Sequence, residues 1–276
     1  MTMEAHQHTD LEPIHPGSGR GQGLLKRIGS ALAALGVLIA NLGAKAKLLL
    51  VALPKLKLFT TSASMLVSIA AYQLIFGWLF SIGFVLLLLL HELGHVFQLR
   101  REGVKASAPM FIPFLGAVIS AKSMGDDAAA EARVGLAGPI LGSIATLVPL
   151  GIWVATGAHF WQALAFIGFF INLFNLVPVL PLDGGRAMAA LSPWVWLAGL
   201  AGLVAMAFVF PSPILVLILV LGGMESWRRW RARNTPEGRA YHRVPTRTRV
   251  LVAATYLLLV AALAAGVSAT HLPRSL

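Results

Sequence analysis

The sequence predicts an all-α polytopic membrane protein with about six to seven transmembrane helices and a short re-entrant β-hairpin near 110–121. Three observations lead there. Only 12% of the 276 residues are charged and 57% are hydrophobic, whereas soluble domains carry about 25% charged residues. The charges are also clustered: residues 58–91, 134–182, 187–224 and 250–273 contain no Asp, Glu, Lys or Arg, and these blocks make up over half the chain. Each is long enough for a bilayer span, which needs about 20 apolar residues. No ten-residue alternation of apolar and polar residues appears, so helices are favoured over barrel strands.

The elements follow in order. Residues 1–27 are polar and interrupted by Pro13 and Pro16, as in a flexible tail. Residues 28–57 are apolar but punctuated by Lys45, Lys47, Lys55 and Lys57. That pattern suits an interfacial or re-entrant segment whose lysines snorkel, and equally a span. Block 58–91 is too long for one crossing and its apolar character runs on to Leu99. Gly77 divides it into spans 58–76 and 78–99. Block 134–182 divides at Gly157-Ala158-His159 into 134–156 and 160–182. Block 187–224 divides at Pro211-Ser212-Pro213 into 187–210 and 213–229, and the last span is 250–270. Residues 58–230 thus form the core, 231–249 a basic loop, and 250–276 the segment with the final helix.

Charge sets the orientation. The net charge of +11 comes from 22 Lys and Arg against 11 acids. These bases flank apolar blocks, which points to lipid and topology rather than to nucleic acid. Arg100, Arg101, Lys105, Lys122 and Arg133 lie in one connection, and eight Arg fall between 228 and 249. Such connections stay cytoplasmic. The connections at 157–159 and 211–213 carry no Lys or Arg and are expected outside. With no Cys, disulfides and thiolate metal ligands are excluded.

Within the connection 100–133, residues 110–121 are apolar, with β-branched residues around Pro113 and Gly116. Twelve residues cannot cross as a helix. They suit a hairpin dipping in from the cytoplasmic side, which is tolerated only where protein or a wet cavity shields the backbone. A loop resting on the membrane surface is the alternative.

His91-Glu92-Leu93-Gly94-His95 is an H-E-x-x-H motif. On a helix, positions i and i+4 share one face, so both imidazoles can reach one ion, while the Glu can take a proton from water. Ionisable residues inside a span are costly and mark function. A catalytic zinc keeps three protein ligands and an open position, so a third ligand is needed. Two other acids lie in or at the end of a span. Glu225 sits beside Arg228 and Arg229, where an interfacial ion pair explains it. Asp183 ends the span 160–182 in Asn175-Leu-Val-Pro178-Val-Leu-Pro181-Leu182-Asp183-Gly184-Gly185-Arg186. His91 precedes Arg100 by nine residues, about 14 Å at 1.5 Å per residue. The two prolines break the helix before Asp183, so an unwound end can bring it back towards His91 and His95. Asp183 is therefore preferred as the third ligand over an Asp183–Arg186 pair. Gly135, Gly138 and Gly142, in the span between the motifs, read as close helix packing.

HELGH at 91–95, NLVPVLPLDGG at 175–185, AGPILG at 137–142 and the stretch around FIPFLG together resemble the site-2 protease family of intramembrane zinc metalloproteases. The resemblance runs from about 58 to 190. It implies one zinc per chain on His91, His95 and Asp183, Glu92 as general base, and Asn175 as a substrate contact. An Asn175 that simply bonds helix backbone is the alternative. It further implies a transmembrane protein substrate cut in or near its membrane segment. The expected location is the plasma membrane, with the active site toward the cytoplasm. Connection 100–133 is too short for the PDZ domain of many members, and no C-terminal regulatory domain is expected. The rival functions are a non-enzymatic metal transporter and a catalytically inactive regulatory binder.

Overall fold

The computed structural model describes residues 57–114, 116–121, 123–209 and 212–271. The expected tail 1–27 and, but for Lys57, the Lys-punctuated segment 28–57 lie outside these residues. The described chain is mostly helical, with one small antiparallel sheet.

Helix α1 (Lys57–Phe76) and helix α2 (Trp78–Arg101) are separated at Gly77, whose φ of 77° is left-handed. Arg100 and Arg101 close α2, where positive charge complements the helix dipole. One stripe of α2 is buried, through Val85, Leu88, His91, His95 and Leu99. The opposite side exposes Leu79, Leu86, Leu90, Leu93 and Phe97. A helix that is apolar all round, with one side left uncovered, suits a lipid surroundings.

The hairpin follows. Strand β1 (Met110–Ile112) pairs antiparallel with strand β2 (Gly116–Val118), with Phe111 opposite Ala117. Polar side chains of α1 hold its backbone. Thr61 Oγ1 donates to the Pro109 carbonyl (2.8 Å), while Ser64 Oγ and Tyr72 OH accept from the amides of Phe111 and Phe114 (both 3.1 Å). Tyr72, Val85, Leu88 and Phe111 form a small core beneath it.

Helix α3 (Ala128–Thr156) starts six residues before the expected span 134–156. Charge counting set the boundary at Arg133, but Asp127 caps the helix earlier by accepting from the Ala130 amide at 2.7 Å. Helix α4 (His159–Asn175) stops seven residues short of the expected 182. Residues 176–182 form turns around Pro178 and Pro181, where prolines remove helix donors. Asp183 therefore does not end a span. It opens a separate six-residue helix, α5 (Asp183–Met188).

Helix α6 (Pro193–Val209) begins later than the expected 187, behind Pro193, which cannot continue a preceding helix. Helix α7 (Pro213–Ala232), the short helix α8 (Pro236–Tyr241) and helix α9 (Thr246–Thr270) complete the chain. Helix α3 packs against α2, α4 and α5, and α9 against α4. The main core gathers Leu136, Phe169, Leu176, Leu180, Met188 and Trp196 around α5.

Among the described residues three helices, α2, α3 and α9, are long and apolar enough to cross a bilayer. The sequence suggested six to seven. Helices α4 and α6 have 17 residues each, at the lower end of the roughly 17–25 that a span takes, and the last turns of α7 carry Glu225, Arg228 and Arg229.

Candidate metal centre

His91 and His95 lie one turn apart on the buried face of α2, and Asp183 reaches them from the first turn of α5. His91 Nε2 is 3.0 Å from Asp183 Oδ2, His95 Nε2 is 3.1 Å from the same oxygen, and the two Nε2 atoms are 3.2 Å apart. All three residues are buried. This is the single group of three or more potential ligands found among the described residues.

The other ring nitrogens show what the triangle is suited to hold. His91 Nδ1 lies 2.8 Å from Asn172 Oδ1, and His95 Nδ1 lies 2.8 Å from the Val134 carbonyl. Both partners are acceptors, so each Nδ1 carries the proton. Nε2 of each ring faces the other two groups, and in a neutral imidazole with its proton on Nδ1 that nitrogen carries a lone pair. In that form two nitrogen lone pairs and a carboxylate oxygen would face one another, an arrangement that a cation at their centre would relieve. A tetrahedral zinc with bonds of about 2.0–2.1 Å sets its ligands about 3.3 Å apart, within a few tenths of the measured triangle. The residues fit zinc in donor type, spacing and outer hydrogen bonding.

Packing makes room for this. A Cβ on Gly138 would collide with the His95 imidazole, and one on Gly142 with the Asn172 amide. The small residues read from sequence as close packing therefore leave space for the ligands' side chains and their support. Asn172 is itself held by donating Nδ2 to the Gly168 carbonyl at 2.8 Å.

Glu92, Asn175 and Arg186 line the same cavity of about 360 Å³ as His91, His95 and Asp183. Its other wall includes Ala117, Val118 and Ile119, the β2 side of the hairpin. Asn175 donates Nδ2 to the Ile171 carbonyl at 3.1 Å. Glu225, the competing acid, is taken by Arg228 (2.7 Å) and Arg229 (2.8 Å), away from the triangle.

Residues 79–157 and 151–198 match the family model for peptidase family M50. This stretch, residues 79–198, is similar to peptidase family M50, the site-2 proteases. The zinc metalloprotease MJ0392 of Methanocaldococcus jannaschii is 31% identical over 107 residues, which cover 37% of this chain and 31% of that protein. Rip3 of Mycobacterium tuberculosis is 32% identical over 149 residues, covering 48% of this chain and 37% of Rip3. The chain thus matches about a third of the length of these curated relatives. The matched residues include His91, His95 and Asp183.

Two features escaped the sequence reading. Asn172 is an amide in an apolar block, three residues before Asn175, and its cost in a span was a usable signal. Glu131 had none. It is buried, and accepts Arg229 Nη1 at 2.7 Å and Nη2 at 2.9 Å, together with the Tyr241 hydroxyl. Arg186 approaches it at 3.9 Å. Burial and the Glu131 carboxylate push the Tyr241 hydroxyl well above its ordinary pKa, which keeps it a donor. Nearby, Arg133 grips Glu102 through two bonds of 2.7 and 2.8 Å and holds that carboxyl below its ordinary range.

Proposed function

We propose that this chain is an intramembrane zinc metalloprotease that hydrolyses peptide bonds in or near the transmembrane segments of other membrane proteins. The observation that carries the reading is the convergence of His91 Nε2, His95 Nε2 and Asp183 Oδ2 on a cavity that Glu92 also lines. That cavity is lined by α2, the hairpin, the end of α4 and the start of α5, and α2 is apolar enough to lie in a bilayer.

In this reading His91, His95 and Asp183 hold one zinc per chain. Zinc bound there would polarise the scissile carbonyl and acidify a water. Glu92 accepts the proton of the attacking water and returns it to the departing amine. Asn175, on the same cavity wall, contacts the substrate backbone. A helical substrate hides its carbonyls in its own hydrogen bonds, so the segment must unwind before cleavage. The β2 edge along Ala117–Ile119 offers backbone partners to such an extended segment by strand addition.

The core is residues 58–230, preceded by the 1–27 tail and the 28–57 segment, and followed by the basic loop 231–249 and the C-terminal segment 250–276. Helices α1, α4, α6 and α7 join α2, α3 and α9 in crossing the membrane, which gives seven spans. The Arg-rich run around α8 then faces the cytoplasm, with the cavity toward that side, in the plasma membrane.

The test is cleavage of a membrane-anchored substrate by purified protein, with zinc content measured on the same preparation. Glu92→Gln should keep zinc and lose cleavage by on the order of 100-fold or more. A Glu92→Gln protein that cleaves at the wild-type rate removes the base. Wild-type protein that moves zinc across vesicles and cleaves no substrate would replace the protease with a transporter.

A further inference from the structure

The backbone that presents Asp183 is irregular. Between the end of α4 at Asn175 and the start of α6 at Pro193 there are turns and one six-residue helix. Helix ends leave their last carbonyls without partners, and at membrane depth no bulk water is available to take them. Three of these carbonyls are met by side chains from elsewhere. Tyr256 on α9 donates its hydroxyl to the Leu176 carbonyl at 2.6 Å. Trp196 on α6 donates Nε1 to the Gly185 carbonyl at 2.7 Å. His242, just after α8, approaches the Ala189 carbonyl with Nδ1 at 3.2 Å. A carbonyl only accepts, so that Nδ1 carries the proton.

The three carbonyls bracket Asp183 on both sides, and Leu176 is a pivot of the turn. A Cβ on Gly184 would collide with the Leu176 carbonyl, so the chain folds tightly back on the group that Tyr256 holds. Two of the donors, His242 and Tyr256, lie beyond the M50-matched segment, which ends at residue 198.

We propose that Tyr256, Trp196 and His242 are positioning residues of the metal centre. By capping the carbonyls of Leu176, Gly185 and Ala189 they fix the backbone around Asp183, so that its carboxylate stays within reach of both imidazoles. The C-terminal segment is then part of the metal site. The inference rests on His91, His95 and Asp183 being the ligands. Without these caps the loop would relax toward other partners, and the carboxylate would leave the His pair before the helices themselves came apart.

The test uses the purified full chain. Tyr256→Phe, Trp196→Phe and His242→Phe each delete a donor, and Tyr72→Phe, which deletes a hydroxyl that holds the hairpin, is the control. Two readouts follow the ligands rather than activity: the rate of zinc loss to a chelator, and the ligand-field absorption of the cobalt-substituted protein. Outer partners of metal ligands are typically worth about 10–100-fold in affinity. Each variant should lose zinc about tenfold faster and the triple variant about 100-fold faster, with a shifted cobalt spectrum. Tyr72→Phe should match wild type. Thermal unfolding of the metal-free proteins separates this from general destabilisation: similar stability with faster zinc loss supports positioning. Zinc loss that merely tracks lowered stability, with an unshifted cobalt spectrum, would overturn it, as would wild-type release from the triple variant. A wild-type protein that takes up no zinc would instead overturn the metal site itself.

Discussion

Asn172 Oδ1 lies 2.8 Å from His91 Nδ1, and this contact decides which nitrogen of His91 faces the site. The amide cannot rotate freely, because its Nδ2 is bonded to the Gly168 carbonyl. The acceptor is thereby fixed towards the ring, and Nε2 is turned to Asp183.

Asn172→Ala should therefore weaken zinc binding by about 10–100-fold without removing a ligand. Competition with a chelator of known affinity measures this. Wild-type affinity in the variant would mean that His91 is oriented by packing alone.

Gly138→Ala places a methyl group where the His95 ring sits. The backbone of α3 cannot retreat without leaving α2, so the ring must swing away. Zinc content should fall well below one per chain, while the protein stays helical by circular dichroism. Gly151→Ala on the same helix meets nothing within 4 Å and should retain zinc. Equal zinc in both variants would show that the helices part easily.

The two acids weighed for the third ligand give opposite expectations. Asp183→Ala should release zinc, whereas Glu225→Ala should hold it, because Glu225 is occupied by Arg228 and Arg229. Zinc analysis of the purified variants decides between them. Full retention in Asp183→Ala would remove that residue from the site.

Glu131→Ala should lower stability. It leaves Arg229 without a bidentate partner in a partly buried setting, and an unpaired buried charge costs about 3–5 kcal/mol. Arg229 keeps Glu225 and its side chain is 22% exposed, so a loss of at most about 3 kcal/mol is expected. Thermal unfolding in detergent reports it. A variant as stable as wild type would reduce this cluster to a surface ion pair.

Topology is tested with reporter fusions. His159 should report outside and Asn234 inside, as the positive-inside rule orders the connections. A cytoplasmic His159 would overturn the proposed count of seven spans.

The sequence by itself determined the helical class of the protein and the donor types of its candidate centre. Long charge-free blocks force helices, since a chain in lipid must satisfy its own backbone. Two histidines four apart must share a helix face whatever the fold, because that spacing is local geometry. The hairpin was legible too, from twelve apolar residues too few to cross. Helix ends were less legible. Asp127 starts α3 ahead of Arg133, and the turns after Asn175 end α4 early, because caps and proline breaks act through hydrogen bonds that hydropathy does not record. The tertiary structure alone decided that Asp183, in a separate short helix 92 positions from His91, stands 3.0 Å from it. It also decided that Asn172 and the Val134 carbonyl meet the two imidazoles and that Tyr256 meets the Leu176 carbonyl. Each of these contacts joins residues far apart in the chain. No local spacing encodes them, and they exist only once α2, α3, α4 and α9 have packed.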